Sequence, residues 1–150
     1  MSSLRRLLIR FAFLFAAMLG SGPLMAIDDQ LQSGAIYKIV RPVYLMGVYE
    51  NPDAKRAGKD AAVAYLQPEQ YAKTRWVVFQ CEVPAGTTMK IIGPAPPAKD
   101  LLHSYAAYYV RLAPDPDPVP SRELDVIVQL FKGFADASGG LSAVFFERMN

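Results

Sequence analysis

The sequence predicts a small, mainly β domain after an N-terminal signal peptide, built as a mostly antiparallel barrel or sandwich with one or two short helices. Two observations lead to this prediction. Six to seven short apolar runs have the length and composition of strands, and the run at 77–83 alternates with the period of two expected of a strand that buries one face. Gly, Pro, Asn and Asp separate these runs, and the sequence contains no internal repeat.

The N-terminal residues 1–26 have the charge, length and order of regions of a signal peptide. Arginines precede an apolar run at 11–19, which is shorter than the roughly 20 residues that span a bilayer. Cleavage is expected after Ala26, with a cut after Gly22 as second choice and an uncleaved N-terminal anchor as the alternative. We therefore expect a periplasmic or secreted domain at 27–150 that is not integral to the membrane after cleavage.

Removal of this leader changes the charge of the chain. The full sequence has 16 Lys and Arg against 14 Asp and Glu, and three of the basic residues lie in the leader. The remaining domain has a net charge of −1 and lacks the clustered Lys and Arg of a nucleic-acid-binding protein. The sequence has one cysteine, which excludes an internal disulfide, so packing must hold the fold.

The central element is predicted to be a long β-hairpin at 74–93. The apolar face of its first strand consists of Val77, Phe79, Cys81 and Val83. The turn is expected at 84–86, Pro-Ala-Gly, because Pro presets φ and Gly tolerates a positive φ. The second strand is expected to resume at 89–92.

The other elements follow from local pattern. Before the hairpin, strands are predicted at 35–40 and 43–49, with a bulge at Gly47. A short helix is predicted at 54–66 from its Ala, Lys and Asp content, with a strand at 62–66 as the alternative.

After the hairpin, two proline-rich segments determine where the chain is predicted to leave the strands. Residues 93–97 are expected to form a stiff bend and 98–104 a single helical turn, followed by a strand at 105–112. The proline-rich residues 114–120 predict an extended surface loop. The last two strands are predicted at 124–131 and 141–147.

The segment 83–92, Val-Pro-Ala-Gly-Thr-Thr-Met-Lys-Ile-Ile, resembles the hairpin of bacterial SH3-like domains. In these domains a short strand, a Gly-Thr turn and a strand ending in Ile or Val recur. The helical insertion after Asn51 and the long tail after Leu112 depart from the compact family pattern. The resemblance implies an SH3-like barrel that binds cell-wall peptide, glycan or another envelope protein and has no active site.

A second fragment resembles another family. Residues 33–37, Ser-Gly-Ala-Ile-Tyr, are similar to the Ser-Gly-x-x-Tyr element that periplasmic lysozyme inhibitors insert into the enzyme cleft. The resemblance implies that Ser33, Gly34 and Tyr37 would enter such a cleft. The second element of those families, a Tyr followed by Thr-Lys-Gly, is missing.

Residues that could perform chemistry are few. Cys81 is interpreted as a buried core residue, with a nucleophile as the alternative, and His103 is the single histidine. Asp115 and Asp117 lack the Gly turn and distal Glu of a calcium loop, so a solvated loop is expected there. No phosphate loop, nucleophile elbow or distinct carboxylate pair occurs. We therefore predict no enzyme activity, no cofactor and no metal site.

The aromatic residues are the predicted ligand-binding group. Alternation places Trp76 on the face opposite Phe79 and Cys81, where tyrosines can extend a stacking platform for sugars or an anchor for a protein. The candidates are Trp76, Tyr44, Tyr49, Tyr108 and Tyr109. The alternative is that Trp76 closes one end of the core.

The predicted function is that of a non-enzymatic periplasmic domain that binds an envelope protein or peptidoglycan. The alternative is an inhibitor or immunity-type protein that blocks an enzyme. A shallow aromatic groove would favour the first hypothesis, and a conspicuous inserted loop the second.

Overall fold

The structure is a computed structural model that describes residues 31–117, 124–131 and 133–150. Its elements are β1 (Ile36–Ile39), β2 (Val43–Val48), α1 (Pro52–Arg56), β3 (Val63–Gln67), β4 (Val77–Val83), β5 (Thr88–Lys99), β6 (Ser104–Ala113), β7 (Asp125–Gln129) and β8 (Phe146–Met149). Strands make up 49% of the described residues and helix 4%. The mainly β class predicted from the sequence is therefore confirmed.

The eight strands form one sheet in the order β4-β2-β3-β7-β6-β5-β1-β8. Neighbouring strands are antiparallel except β3 and β7, which are parallel. The sheet is open, with β4 and β8 as its edge strands. The described strands therefore do not close into a barrel, and the predicted SH3-like barrel or sandwich is not confirmed beyond the mainly β class.

The predicted central hairpin is wrong, because β4 and β5 pair with other neighbours instead of with each other. The β2–β4 pairing sets Val43 opposite Val83, and the β1–β5 pairing sets Lys38 opposite Thr88. The two ladders share one register. Each step of one residue forward along β1 or β2 corresponds to one step back along the opposite strand, and the pairs of both ladders fall on the same continuous series. The chain therefore continues in one direction through 84–86 and does not reverse there.

Two prolines interrupt this shared ladder at the same place. In the common register Pro42 lies opposite Pro84, and neither has an N–H to donate. Next to them the Gly86 N–H donates to the Ile39 carbonyl and the Ile39 N–H donates to the Thr87 carbonyl, both at 2.8 Å. The Pro-Ala-Gly segment thus interrupts a strand path without reversing it, and the resemblance to an SH3-like hairpin loses its structural basis.

The predicted helix is real but short. The Asn51 side-chain oxygen accepts a hydrogen bond from the Ala54 N–H at 2.8 Å, and Pro52 stands in the first turn, where its missing donor costs nothing. The helix ends at Arg56 and does not continue to 66.

The strand alternative at 62–66 is confirmed by β3. This strand lies between β2 and β7, so both of its edges are paired. Ala64 and Leu66 are fully buried there. Burial in the middle of a sheet outweighs the helix propensity of an Ala-rich segment.

The bend predicted at 93–97 is wrong, because β5 runs through these residues. Two register shifts, between Ile91 and Gly93 and between Ala95 and Ala98, accommodate them in the β5–β6 ladder. Such irregularities tolerate residues that cannot donate a ladder hydrogen bond. The chain instead reverses at 100–103, where a helical turn was predicted, and β5 and β6 form the long hairpin of the fold.

The C-terminal strands differ in how well they match the predictions. The prediction at 124–131 is confirmed by β7, whereas β8 begins only at Phe146. The residues before it form a turn in which the Phe145 and Phe146 N–H groups both donate to the Ser142 carbonyl at 3.0 Å. Of the proline-rich loop, residues 114–117 lie outside the strands.

The hydrophobic core draws side chains from all eight strands. Phe134, from the β7–β8 connection, is fully buried and makes edge contacts with Phe145 and Phe146 at ring-centroid distances of 5.4 and 5.1 Å. Burying an aromatic or aliphatic side chain of this kind contributes roughly 1.5–3 kcal/mol. Because strands at both edges contribute to one cluster, the sheet must curve around it.

Two further predictions concern the N-terminal leader. The signal peptide at 1–26 and its cleavage site lie outside the described residues. In the described ranges, no helix is long and apolar enough to cross a membrane.

Candidate binding surface

The five predicted aromatic residues do not form one platform. Trp76 is 37% exposed immediately before β4, and its carbonyl accepts a hydrogen bond from the Tyr49 N–H at 3.1 Å. Tyr44 lies on the face of β2 opposite the core, whereas Tyr109 of β6 lines a cavity together with the core residue Leu45. Tyr108 is 2% exposed and belongs to the core. The structure therefore brings Trp76 and Tyr49 together and removes Tyr108 from the surface.

Two cationic side chains of the same chain lie over the Trp76 ring. The Arg75 guanidinium lies 5.2 Å and the Lys55 ammonium 5.8 Å from the ring centroid. At an exposed site each such contact contributes about 0.5–1 kcal/mol. A sugar that stacked on Trp76 would have to compete with these side chains.

Cys81 lies on the core-facing side of β4, as predicted, but it is only partly buried. It packs against the core cluster beside Phe79 and opposite Leu45 on β2. Burial raises the pKa of its thiol, and the negative charge of Asp117 raises this pKa further. The thiolate needed by a nucleophile is disfavoured at this position.

A cavity of about 960 Å³ lies beside β6 and β7, next to the predicted solvated loop. Its apolar part includes Leu45 and Val126, and its polar part consists of Arg111, Asp115, Asp117 and Asp125. Within 31–117, 124–131 and 133–150, no group of three or more His, Cys, Asp or Glu side chains is arranged to hold a metal ion.

The fragment that resembles lysozyme inhibitors lies along the sheet. Ser33 Oγ donates to the Ile92 carbonyl at 2.6 Å, and the Gly34 N–H donates to the Ile91 carbonyl at 2.8 Å. Gly34 adopts a φ of 88°, which leads the chain into β1, and Tyr37 is buried in that strand. The side chain implied by the resemblance to enter an enzyme cleft is thus part of the core.

The β5–β6 turn at 100–103, here called the hairpin tip, is a feature that the sequence interpretation missed. Its two apical residues are leucines: Leu101 is fully exposed and Leu102 is 85% exposed. Apolar residues scattered singly on a surface are ordinary, but two adjacent leucines at the end of a long hairpin form a protruding apolar knob.

A single carboxylate organises the hairpin tip. Asp100 Oδ1 accepts hydrogen bonds from the Leu102 and His103 N–H groups at 2.7 Å each, and Oδ2 accepts from the Tyr105 hydroxyl at 2.7 Å. The Tyr105 hydroxyl and the two N–H groups lower the pKa of Asp100 to about 2. His103 Nδ1 lies 3.5 Å from Asp100 Oδ1. The single histidine of the sequence is therefore part of this turn. The sequence signal that could have located the turn is Asp100, because Asp favours Asx turns.

A groove of about 380 Å³ opens beside the hairpin tip. Its aromatic walls are Tyr71, Tyr105 and Phe131, and the rings of the last two lie 5.8 Å apart at an angle of 50°. Lys99 and Gln129 supply polar groups. With its amide oriented to satisfy both contacts, Gln80 of β4 bonds the Tyr71 backbone carbonyl and N–H at 3.1 and 3.2 Å, so the sheet fixes the loop that carries Tyr71.

No protein-family model matches this sequence, and neither the curated proteins nor the solved structures contain a significant match to it. The arguments about function below therefore rest on the residues of this chain.

Proposed function

We propose that the chain is an exported, non-enzymatic domain that binds a partner protein of the cell envelope through its hairpin tip. Export is inferred from the leader at 1–26, with its arginines and short apolar run. Binding is inferred from a surface feature that folding alone does not require.

The observation that carries the proposal is the exposure of Leu101 and Leu102. Both side chains contribute little to the core of their own chain, because almost all of their surface faces solvent. Burial of a leucine in a partner would stabilise a complex by roughly 1.5–3 kcal/mol. Two adjacent leucines thus supply a central apolar contact of the kind that dominates protein interfaces.

The order of the hairpin tip supports the same function. Asp100 binds two backbone N–H groups of the turn, and its own N–H donates to the His103 carbonyl at 3.0 Å. A turn that is already ordered loses less conformational entropy on binding than a flexible loop. The knob is convex and preorganised, so its complement is a concave apolar pocket in a protein.

Charge favours a protein over a membrane surface. Lys99 and the ionised Asp100, of opposite charge, directly precede the leucines, so residues 99–102 do not form the basic cluster that attracts anionic lipids. Two leucines alone provide less apolar area than the anchors that hold proteins stably on bilayers.

The proposal is tested with the full chain, expressed with its leader and an affinity tag. The variant Leu101→Ser/Leu102→Ser is compared with Val144→Ser, a matched control because Val144 is 51% exposed on the turn before β8. We expect the wild type and the control to retain one protein partner and the tip variant to lose it. Equal retention by the tip variant, or binding of the wild type to anionic vesicles instead of a protein, would overturn the proposal.

The second candidate function is inhibition of an enzyme, and the hairpin tip is the observation that favours it. A rigid protruding turn is a shape that can fill a cleft, whereas the Ser33 fragment lies along β5. If the captured partner is a hydrolase, the wild type should lower its activity and Leu101→Ser/Leu102→Ser should not. Capture without inhibition would exclude this candidate and leave the binding proposal intact.

A further inference from the structure

The groove beside the hairpin tip shares Asp100 with the tip, but its walls are aromatic rather than aliphatic. Aromatic rings of Tyr71, Tyr105 and Phe131 form its walls, whereas Lys99 and Gln129 present an ammonium and an amide at its edge. Tyr71 is the accessible wall, with 47% of its surface exposed. The groove therefore combines flat apolar surfaces with hydrogen-bonding groups.

The rings and polar groups of the groove are positioned before any ligand binds. The Tyr105 hydroxyl is held by Asp100 at 2.7 Å, and the Tyr105 ring contacts Phe131 at 5.8 Å between centroids. Gln80 anchors the Tyr71 backbone to β4. In the part of the chain that the structure describes, the side chains of Lys99 and Gln129 make no hydrogen bond or ion pair, so both can serve a ligand.

From these contacts we infer that the groove is a saccharide-binding site. A pyranose ring has an apolar face of C–H groups that stacks on an aromatic ring and a rim of hydroxyl groups that pairs with amide and ammonium donors. A purely apolar ligand would leave Lys99 and Gln129 without partners on burial, which is unfavourable.

The charge and size of the groove agree with an uncharged, polar ligand. Among the described residues, one cation, Lys99, and one ionised carboxylate, Asp100, line the groove, so their formal charges cancel and do not select a strongly ionic ligand. Its volume of about 380 Å³ lies toward the small end of ligand pockets, which suits a short saccharide.

The groove shares Asp100 with the hairpin tip, but Leu101 and Leu102, which carry the partner contact proposed above, do not line it. A saccharide could occupy it whether or not a protein binds the tip. This separation makes the two proposals distinguishable by one set of variants.

The test uses protein purified from cells that express the full chain, titrated with the β-1,4-linked tetramer of N-acetylglucosamine by calorimetry and by NMR of the aromatic rings. We expect binding that shifts the Tyr71, Tyr105 and Phe131 resonances and that Tyr71→Ala weakens at least about tenfold. Tyr71→Phe should retain most of the affinity, since it keeps the ring. Far-UV circular dichroism verifies that each variant is folded.

Two controls locate the site. Trp76→Ala tests an exposed aromatic residue outside the groove, and Leu101→Ser/Leu102→Ser tests the hairpin tip; both variants should bind the tetramer as the wild type does. Absence of binding by the wild type at millimolar tetramer, or binding that Trp76→Ala abolishes and Tyr71→Ala leaves intact, would overturn the inference.

Discussion

Gly47 of β2 and Phe79 of β4 lie directly opposite each other, and the Phe79 ring occupies the space that a side chain at position 47 would need. A Cβ built on Gly47 would overlap the ring. The register of the β2–β4 ladder shifts immediately after this pair, between Gly47 and Val48. The glycine predicted as a bulge from sequence is thus required by the packing of an aromatic residue across the ladder.

This contact predicts that Gly47→Ala destabilises the fold by about 1–3 kcal/mol, because the Phe79 ring must move out of its present position. Gly93→Ala is the matched control. Gly93 also lies in a strand at a register shift, but no atom lies within 4 Å of the position that an alanine β-carbon would occupy there. Urea unfolding measures both variants. Equal stabilities for the two variants would contradict the proposed packing.

The Asp100 turn predicts a pH dependence. Its folded-state pKa of about 2 lies below the ordinary value of 3.8, so the stabilisation of the turn is complete above pH 3.8 and is lost as the pH falls through about 2. The Tyr105 hydroxyl is the largest cause of this shift, so Tyr105→Phe should raise the pKa of Asp100 toward 3.8. NMR titration of the carboxyl carbon reports both midpoints. A midpoint that Tyr105→Phe does not move would refute this role of the hydroxyl.

Reactivity of Cys81 provides another prediction. Burial and Asp117 raise the pKa of the thiol, so alkylation of the native protein should be slow at neutral pH and accelerate only above pH 9.0, the ordinary value. Asp117→Asn should lower the pKa of Cys81 and increase the rate at a given pH, because it removes the smaller of the two causes. Rapid alkylation at pH 7, equal to that of the unfolded chain, would contradict the core assignment.

Mutation of an exposed leucine and of a buried leucine should change the free energy of unfolding by very different amounts. Leu101→Ser should change the free energy of unfolding by less than about 0.5 kcal/mol, because its side chain is already in solvent. Leu45→Ala, at a fully buried position, should cost about 2–5 kcal/mol. Thermal or urea unfolding of both variants compares these values. A large loss at Leu101 would show that the tip belongs to the core and would remove the basis of the binding proposal.

The strands could be predicted where a short apolar run was bounded by Pro, Gly, Asn or Asp, as for β2. Alternation predicts which face of a strand packs on the core, as it does for Phe79 and Cys81, which pack against the core cluster although both are only partly buried. It does not identify the neighbouring strand. The sequence around Pro84 and Gly86 is compatible with a reversal, yet the chain continues there because β1 and β5 extend the same register. Partner choice depends on long-range packing that no local pattern contains.

The candidate site was harder to predict than the fold. The sequence predicts Trp76 and the tyrosines as ligand-binding residues because aromatic residues often bind ligands, but Tyr108 is part of the core. Leu101 and Leu102 looked like part of a short helical turn, since nothing local distinguishes leucines that face solvent from leucines that face the core. Their exposure follows from the Asp100 turn that ends β5 and from the length of the hairpin.

The most direct test of the binding proposal is photo-crosslinking in living cells, with a photoreactive amino acid placed at position 101 or, as a control, at position 144. Both positions are exposed, so both report contacts without disturbing the core. We predict a crosslink to one specific envelope protein from position 101 that is absent from position 144. Crosslinks to lipid alone, or the same products from both positions, would contradict the proposal that the hairpin tip binds a protein.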